Sequence, residues 1–165
     1  MTAHTSPHWL HRSWPIALSL FIAIIFLQSL FFKFSDSPET QYIFGTLDAW
    51  GAGLGFPGLF AHRGIFSQYV VGTSELIASA LLLAGLFARL PLVHLAGAVM
   101  ALGVISGAIF FHLFTPLGVQ VRNTDGSLDG GELFTLACGV WLSAALILWS
   151  RRKLLLGLVA RLLKK

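Results

Sequence analysis

Apolar residues run almost unbroken through four stretches of this chain, at about 16–34, 68–87, 90–113 and 133–149, and polar residues gather between them. Each stretch is close to the roughly 17–25 residues that a helix needs to cross hydrocarbon. The segment 35–67 between the first two has signals of its own. Ser37 can cap a helix opened by Pro38 and Glu39 and ended by Gly51. Inside it Ile43, Leu47 and Trp50 form one apolar stripe flanked by Tyr42 and Phe44, which predicts an additional interfacial helix in the first outer loop. Beyond Trp149, residues 150–165 alternate cations with leucines and read as a basic amphipathic tail on an anionic inner leaflet. The pattern as a whole predicts an all-α integral membrane four-helix bundle, a single domain over residues 1–165.

Composition agrees. The chain is 56% hydrophobic and only 11% charged, with a mean hydropathy of +0.79. Soluble domains carry about 25% charged residues. The first stretch follows Arg12 and ends in Phe31-Phe32-Lys33-Phe34 without a small-x-small cleavage site, so a retained helix is expected rather than a removed leader.

Charge adds an orientation. With both termini and the 88–91 turn on one side, that side holds Arg12, Arg89, Arg151, Arg152, Lys153, Arg161, Lys164 and Lys165, eight of the eleven Lys and Arg residues. The positive-inside rule then sets both termini in the cytoplasm of a cell (inner) membrane protein. All seven acids fall on the outer side or in the outer half of the bundle.

Several local patterns imitate chemistry without completing it. Cys138 is the one cysteine, and a membrane enzyme that makes disulfides needs a redox-active pair, so that class is excluded for the chain acting alone. His4, His8 and His11 have helical spacing, but no acid or cysteine accompanies them, and no metal role is expected. His94 and His112 share one helix face about 27 Å apart, too far for one haem, and no other span offers a second histidine ligand. The glycine cluster at 51–58 follows no strand and reads as a loop. Asn123, Asp125, Gly126, Asp129 and Glu132 match part of a calcium loop, but Val121 stands where the first ligand belongs, and turn-forming Asp-Gly pairs explain the stretch. In the third span Gly103 and Gly107 have the spacing for close helix approach. Nucleic-acid binding is not expected, because the basic tail belongs at the membrane surface.

The chemistry-bearing residues come from four spans: Lys33, Glu75, His112 and Glu132, all toward the outer side. Glu75 lies deepest, roughly 10 Å below the outer start of its helix. A carboxylate inside a span is costly and requires a partner or a wet cavity. Pairing with Lys33 would offset the desolvation of both. A histidine and a second carboxylate nearby would make a titratable ligand-binding or proton-handling cluster. The same residues would equally serve as a polar clamp fixing helix order. Along the fourth span Glu132, Thr135, Gly139 and Ser143 form a polar and small stripe expected to face the bundle.

These residues also carry a resemblance. Leu30-Phe31-Phe32-Lys33-Phe34, the stretch Gly72 to Gly85 with its glutamate, Arg89 in the short turn, Ala108-Ile109-Phe110-Phe111-His112, and Asp129-Gly130-Gly131-Glu132-Leu133-Phe134 resemble the DoxX family of small four-span membrane proteins. The likeness covers about residues 15–150. It implies a redox-associated role as an accessory subunit, since the family's namesake kinship is with a thiosulfate:quinone oxidoreductase and most members have no assigned activity. An oxidoreductase partner and a bound quinone are what the resemblance implies. A small transporter, proton relay or non-catalytic scaffold is the other reading. A homo-oligomer stays open, and so does whether the protein is an enzyme.

Overall fold

The computed structural model describes residues 10–163, with the side chains of residues 10–12 and 162 left out of the description. The His4, His8 and His11 spacing and the last two lysines therefore lie outside what is described here.

Among the described residues six helices follow one another: α1 (Leu10–Phe34), α2 (Pro38–Gly53), α3 (Gln68–Phe87), α4 (Pro91–Phe114), α5 (Glu132–Ser150) and α6 (Arg152–Leu162). Four of them are long and apolar enough to cross a membrane, over Ser13–Phe34, Gln68–Phe87, Pro91–Phe114 and Glu132–Ser150. The chain is thus an all-helical, multi-pass membrane protein. The expected spans agree to within a few residues, except that α1 begins before Pro15 and runs through it.

The start and stop signals act as the sequence chemistry requires. Ser67 caps α3 by accepting from the Val70 N–H, and Ser37 caps α2 by accepting from the Thr40 N–H at 3.2 Å, with Pro38 in the first turn. α3 ends with Arg89 in the left-handed region at φ +56°. There the Leu90 N–H returns to the Gly85 carbonyl and the Arg89 N–H to the Leu86 carbonyl. This is the two-bond closure of a helix end, made here with arginine in glycine's usual place. Pro91 then opens α4 at once.

In the bundle α3 lies between α1 and α4, and α5 packs against both α4 and α1, so α1 and α4 face each other across a diagonal. The core between them is built from Ile22 and Phe26 of α1, Ala78 and Leu82 of α3, Ala98, Ala101 and Ile105 of α4, and Ala137, Val140, Ala144 and Ile147 of α5. Its alanines let the backbones approach, the usual basis of helix association in lipid. The large apolar side chains left outside, among them Ile24, Phe31, Leu76, Leu142 and Leu146, face outward as lipid-facing residues do.

The close approach is not where the glycine spacing suggested. A Cβ added at Gly103 or Gly107 would meet nothing within 4 Å. One added at Gly97 would stand 2.6 Å from the Leu82 backbone nitrogen and one at Gly85 2.3 Å from the His94 backbone nitrogen, so α3 and α4 close on each other at Gly85 and Gly97. The α2 stripe does face a core, but a protein one. Leu47 joins Phe60, Leu117 and Val121 in a second cluster, with Ile43 and Trp50 packed against it. This cluster joins α2, the loop after it and the loop 115–131 into one cap, next to Phe111 near the end of α4. The Glu39 carboxylate fastens the same two segments by accepting from the Thr124 backbone N–H at 3.1 Å and from the Thr124 hydroxyl. The end of the bundle bearing this cap is called the capped end below, and the end bearing the α3–α4 turn and α6 the turn end.

Candidate functional site

At the capped end Glu75 is answered by α1. Lys33 Nζ lies 3.0 Å from Glu75 Oε2 and 3.1 Å from Oε1, and it also donates to Ser29 Oγ at 3.0 Å. Ser29 Oγ stands 2.6 Å from Glu75 Oε2 and 2.8 Å from the Phe26 carbonyl. One hydroxyl proton serves one of these acceptors, and the carboxylate is the stronger. Lys33 and Ser29 meet because residues four apart share a helix face. The lysine side chain is 16% exposed and the glutamate 8%, so the pair is largely buried and the lysine is its more accessible member.

Gly72 makes room for it. It lies three residues before Glu75 on the same face of α3, and a Cβ there would stand 3.4 Å from Lys33 Cδ, 3.0 Å from the Phe34 ring and 3.3 Å from Leu30. The missing side chain is the groove in which the lysine stem rests. Above it Gln68, itself buried, donates to the Lys33 carbonyl at 2.7 Å and to Asp36 Oδ1 at 2.5 Å. Tyr69 donates to the same oxygen at 2.8 Å, and Gln41 donates to Gln68 at 3.1 Å. This polar lid over the ion pair, with Asp36 turned to φ +53°, escaped the sequence reading. Its signal was present only as single polar residues near two helix ends.

His112 belongs to a different arrangement. It is 8% exposed, and its Nδ1 lies 2.7 Å from the Gly118 carbonyl, an acceptor only, so Nδ1 carries the proton. Its ring meets Phe134 edge-on at 5.7 Å between centroids. The loop it supports is organised by Asp129, which accepts from the N–H groups of Val121 (2.8 Å), Gly131 (2.9 Å) and Leu133 (3.2 Å). Burial works to raise the Asp129 carboxyl. The three backbone donors, with a further contribution from His112, outweigh it and hold the group below its ordinary value. Asp125 caps its own turn through Ser127, so the acids of the calcium-like stretch serve as local turn acceptors.

Glu132 opens α5 with its side chain exposed and engages none of the other three residues. On the stripe expected below it Thr135 is exposed and only Ser143 is buried. Of the four candidates the structure therefore joins Lys33 to Glu75, adds Ser29, ties His112 to the loop 115–131, and leaves Glu132 at the surface.

A second polar contact lies at the turn end. Ser19 Oγ donates to the Pro15 carbonyl at 2.7 Å, which leaves it to accept from His94 Nε2 at 2.8 Å across the bundle diagonal. Both residues are at most 1% exposed, and His94 Nδ1 is buried with no partner among the described residues. Both residues are visible in the sequence, but their pairing depends on which helices stand opposite, which the sequence does not state.

What this arrangement can do chemically is limited and definite. The capped end holds an ammonium, a carboxylate and a hydroxyl within one hydrogen-bonded unit, competent to exchange a proton or to bind a small polar group. Among the described residues no group of three or more His, Cys, Asp or Glu is placed to hold a metal ion. Comparison of the chain with protein-family models, with curated proteins and with solved structures gives no match.

Proposed function

We propose that the protein is a redox-associated accessory subunit of a membrane oxidoreductase system, and that the Lys33, Ser29 and Glu75 unit receives a quinone-like or small polar ligand from the capped end. The observation that carries this is the exposure of Lys33, 16% against 8% for Glu75, in an ammonium whose contacts are all to one carboxylate and one hydroxyl. A quinone carbonyl needs one strong donor in an apolar wall, and Lys33 beside Phe34 and Leu30 supplies both. The DoxX-like motifs support the same reading through Leu30-Phe31-Phe32-Lys33-Phe34 and the Gly72–Gly85 stretch, and they alone support the family assignment. The orientation goes with it: both termini in the cytoplasm of a cell membrane and the cap outside.

The test is to incubate the purified protein with short-chain ubiquinone and menaquinone and to measure binding by tryptophan quenching. Lys33→Met, which keeps the stem and removes the donor, should weaken binding about tenfold or more. Binding unchanged by Lys33→Met would refute the site.

A second reading is favoured by the completeness of the hydrogen bonding, since both carboxylate oxygens already have donors. In it the unit is a proton relay of a small transporter, or a clamp of a scaffold. Proton flux in liposomes that Glu75→Gln abolishes, without quinone binding, would decide for the relay. Neither activity would decide for the clamp.

A further inference from the structure

At the turn end, opposite the proposed ligand site and independent of it, α6 leaves the bundle. Among the described residues it touches little besides the end of α5, so they leave much of its surface uncovered. Lys153, Gly157 and Arg161 follow at intervals of four residues, so the two cations share one face with a glycine between them. The rest of the helix surface is rich in leucine and valine. Leu154, Leu155 and Leu158 are half-buried, while Leu156 is 65% exposed, Val159 43% and Leu163 81%. Trp149 at the end of α5 is 68% exposed, and the Arg152 guanidinium lies 4.8 Å over its ring. An aromatic ring at this level of a spanning helix is a typical interface anchor.

From Leu133 to the last residue the chain carries six Lys and Arg and no Asp or Glu, so no cation of α6 has a carboxylate on its own segment. Four spans already fix a bilayer beside this helix. Apolar side chains that the described residues leave uncovered, cations without counter-ions on their own segment and a bilayer at hand converge on one occupant. We propose that α6 with the α5–α6 elbow is a docking surface for anionic phospholipid. The exposed Leu156, Val159 and Leu163 enter the acyl boundary, and Arg152, Lys153 and Arg161 lie at the level of the headgroup phosphates.

The choice of lipid over a protein partner follows from the pattern. The apolar surface is leucine and valine, without the aromatic anchors or complementary charges of a protein interface. The nearest aromatic, Trp149, sits where membrane-boundary tryptophans sit.

The full chain reconstituted into nanodiscs tests this, with amide exchange read over residues 153–163. One set of discs is phosphatidylcholine alone, and the other contains one-third phosphatidylglycerol. Protection should be about tenfold or more higher with phosphatidylglycerol, and it should fall in high salt. The triple variant Arg152→Gln, Lys153→Gln, Arg161→Gln should lose the difference between lipids while exchange in the four spans stays unchanged. Leu156→Gln with Val159→Gln should lose protection in both lipids. Equal protection in both discs, insensitive to salt, would overturn the proposal in favour of docking by apolar burial alone. Absence of protection in both would overturn it in favour of a protein partner. Should the triple variant disturb the spans, the lipid and salt dependence of the unaltered chain still decides.

Discussion

Replacing Glu75 with glutamine removes one charge from a pair held by three short contacts and leaves the Lys33 ammonium with a hydroxyl and an amide oxygen. The cost can be bracketed. Exposed ion pairs contribute about 0–1 kcal/mol, whereas breaking a fully buried pair by removing one partner costs about 3–5 kcal/mol. This pair is buried, but Lys33 is 16% exposed and stands one residue from the end of α1, where its stem can carry the charge outward. The expected cost of Glu75→Gln is therefore about 2 kcal/mol, inside that bracket. Lys33→Met should cost about as much, because it strands the carboxylate with one hydroxyl donor. The double variant removes both charges and should lose about 1 kcal/mol or less. The coupling is then roughly 3–4 kcal/mol, measurable from reversible unfolding in mixed micelles of the four proteins in the cycle. Costs that add to within about 0.5 kcal/mol would mean the two groups do not interact in the folded protein, and the site would fall with them.

Gly97→Ala should destabilise by about 1–3 kcal/mol, because its methyl group has the Leu82 backbone in its way, while Gly103→Ala should be neutral or stabilising; equal effects on thermal unfolding would contradict the packing. Asp129 is held below its ordinary value, so the stability it gives the loop 115–131 is present above its unfolded-state value and lost as pH falls through the lowered folded one. Exchange over residues 121–133, corrected for the intrinsic rate, should open in that acidic window in the unaltered chain and lose this dependence in Asp129→Asn; protection that persists through the window would refute it. Asp125→Cys in a Cys138→Ser background should react with an impermeant thiol reagent in intact cells and Lys165→Cys should not; the reverse pattern would invert the topology.

The spans, the α2 helix and its cap were legible because each depends on neighbours in sequence: apolar length, Ser37 before Pro38, Ser67 before the third apolar run. Lys33 with Glu75 was legible for a different reason. A carboxylate in a span needs a partner, and α1 offers one cation at the matching depth. Glu132 satisfied the same depth argument and still lies at the surface, because depth says nothing about which way a residue at the first turn of a helix turns. Gly103 and Gly107 had the right spacing but face no neighbouring helix, whereas Gly97 faces α3. Rotation of α4 about its axis decides that, and it is fixed by contacts with three other helices. The bond between Ser19 and His94 was hidden for the same reason.

That bond has a mechanical consequence for α1. Leucine-rich helices in lipid have no hydrophobic force holding them in register, and each is free in principle to slide or roll against its neighbour. α1 is pinned at both ends and in two directions, to α4 through Ser19 and to α3 through Ser29 and Lys33. Sliding would break both pins at once. Against α5, by contrast, α1 sets the Phe21 ring over Gly139, a contact that can part without stranding any polar group. Sideways widening of the bundle therefore meets least resistance at the α1–α5 seam. Spin-label distances across that seam should be broad, and those between α1 and α3 narrow.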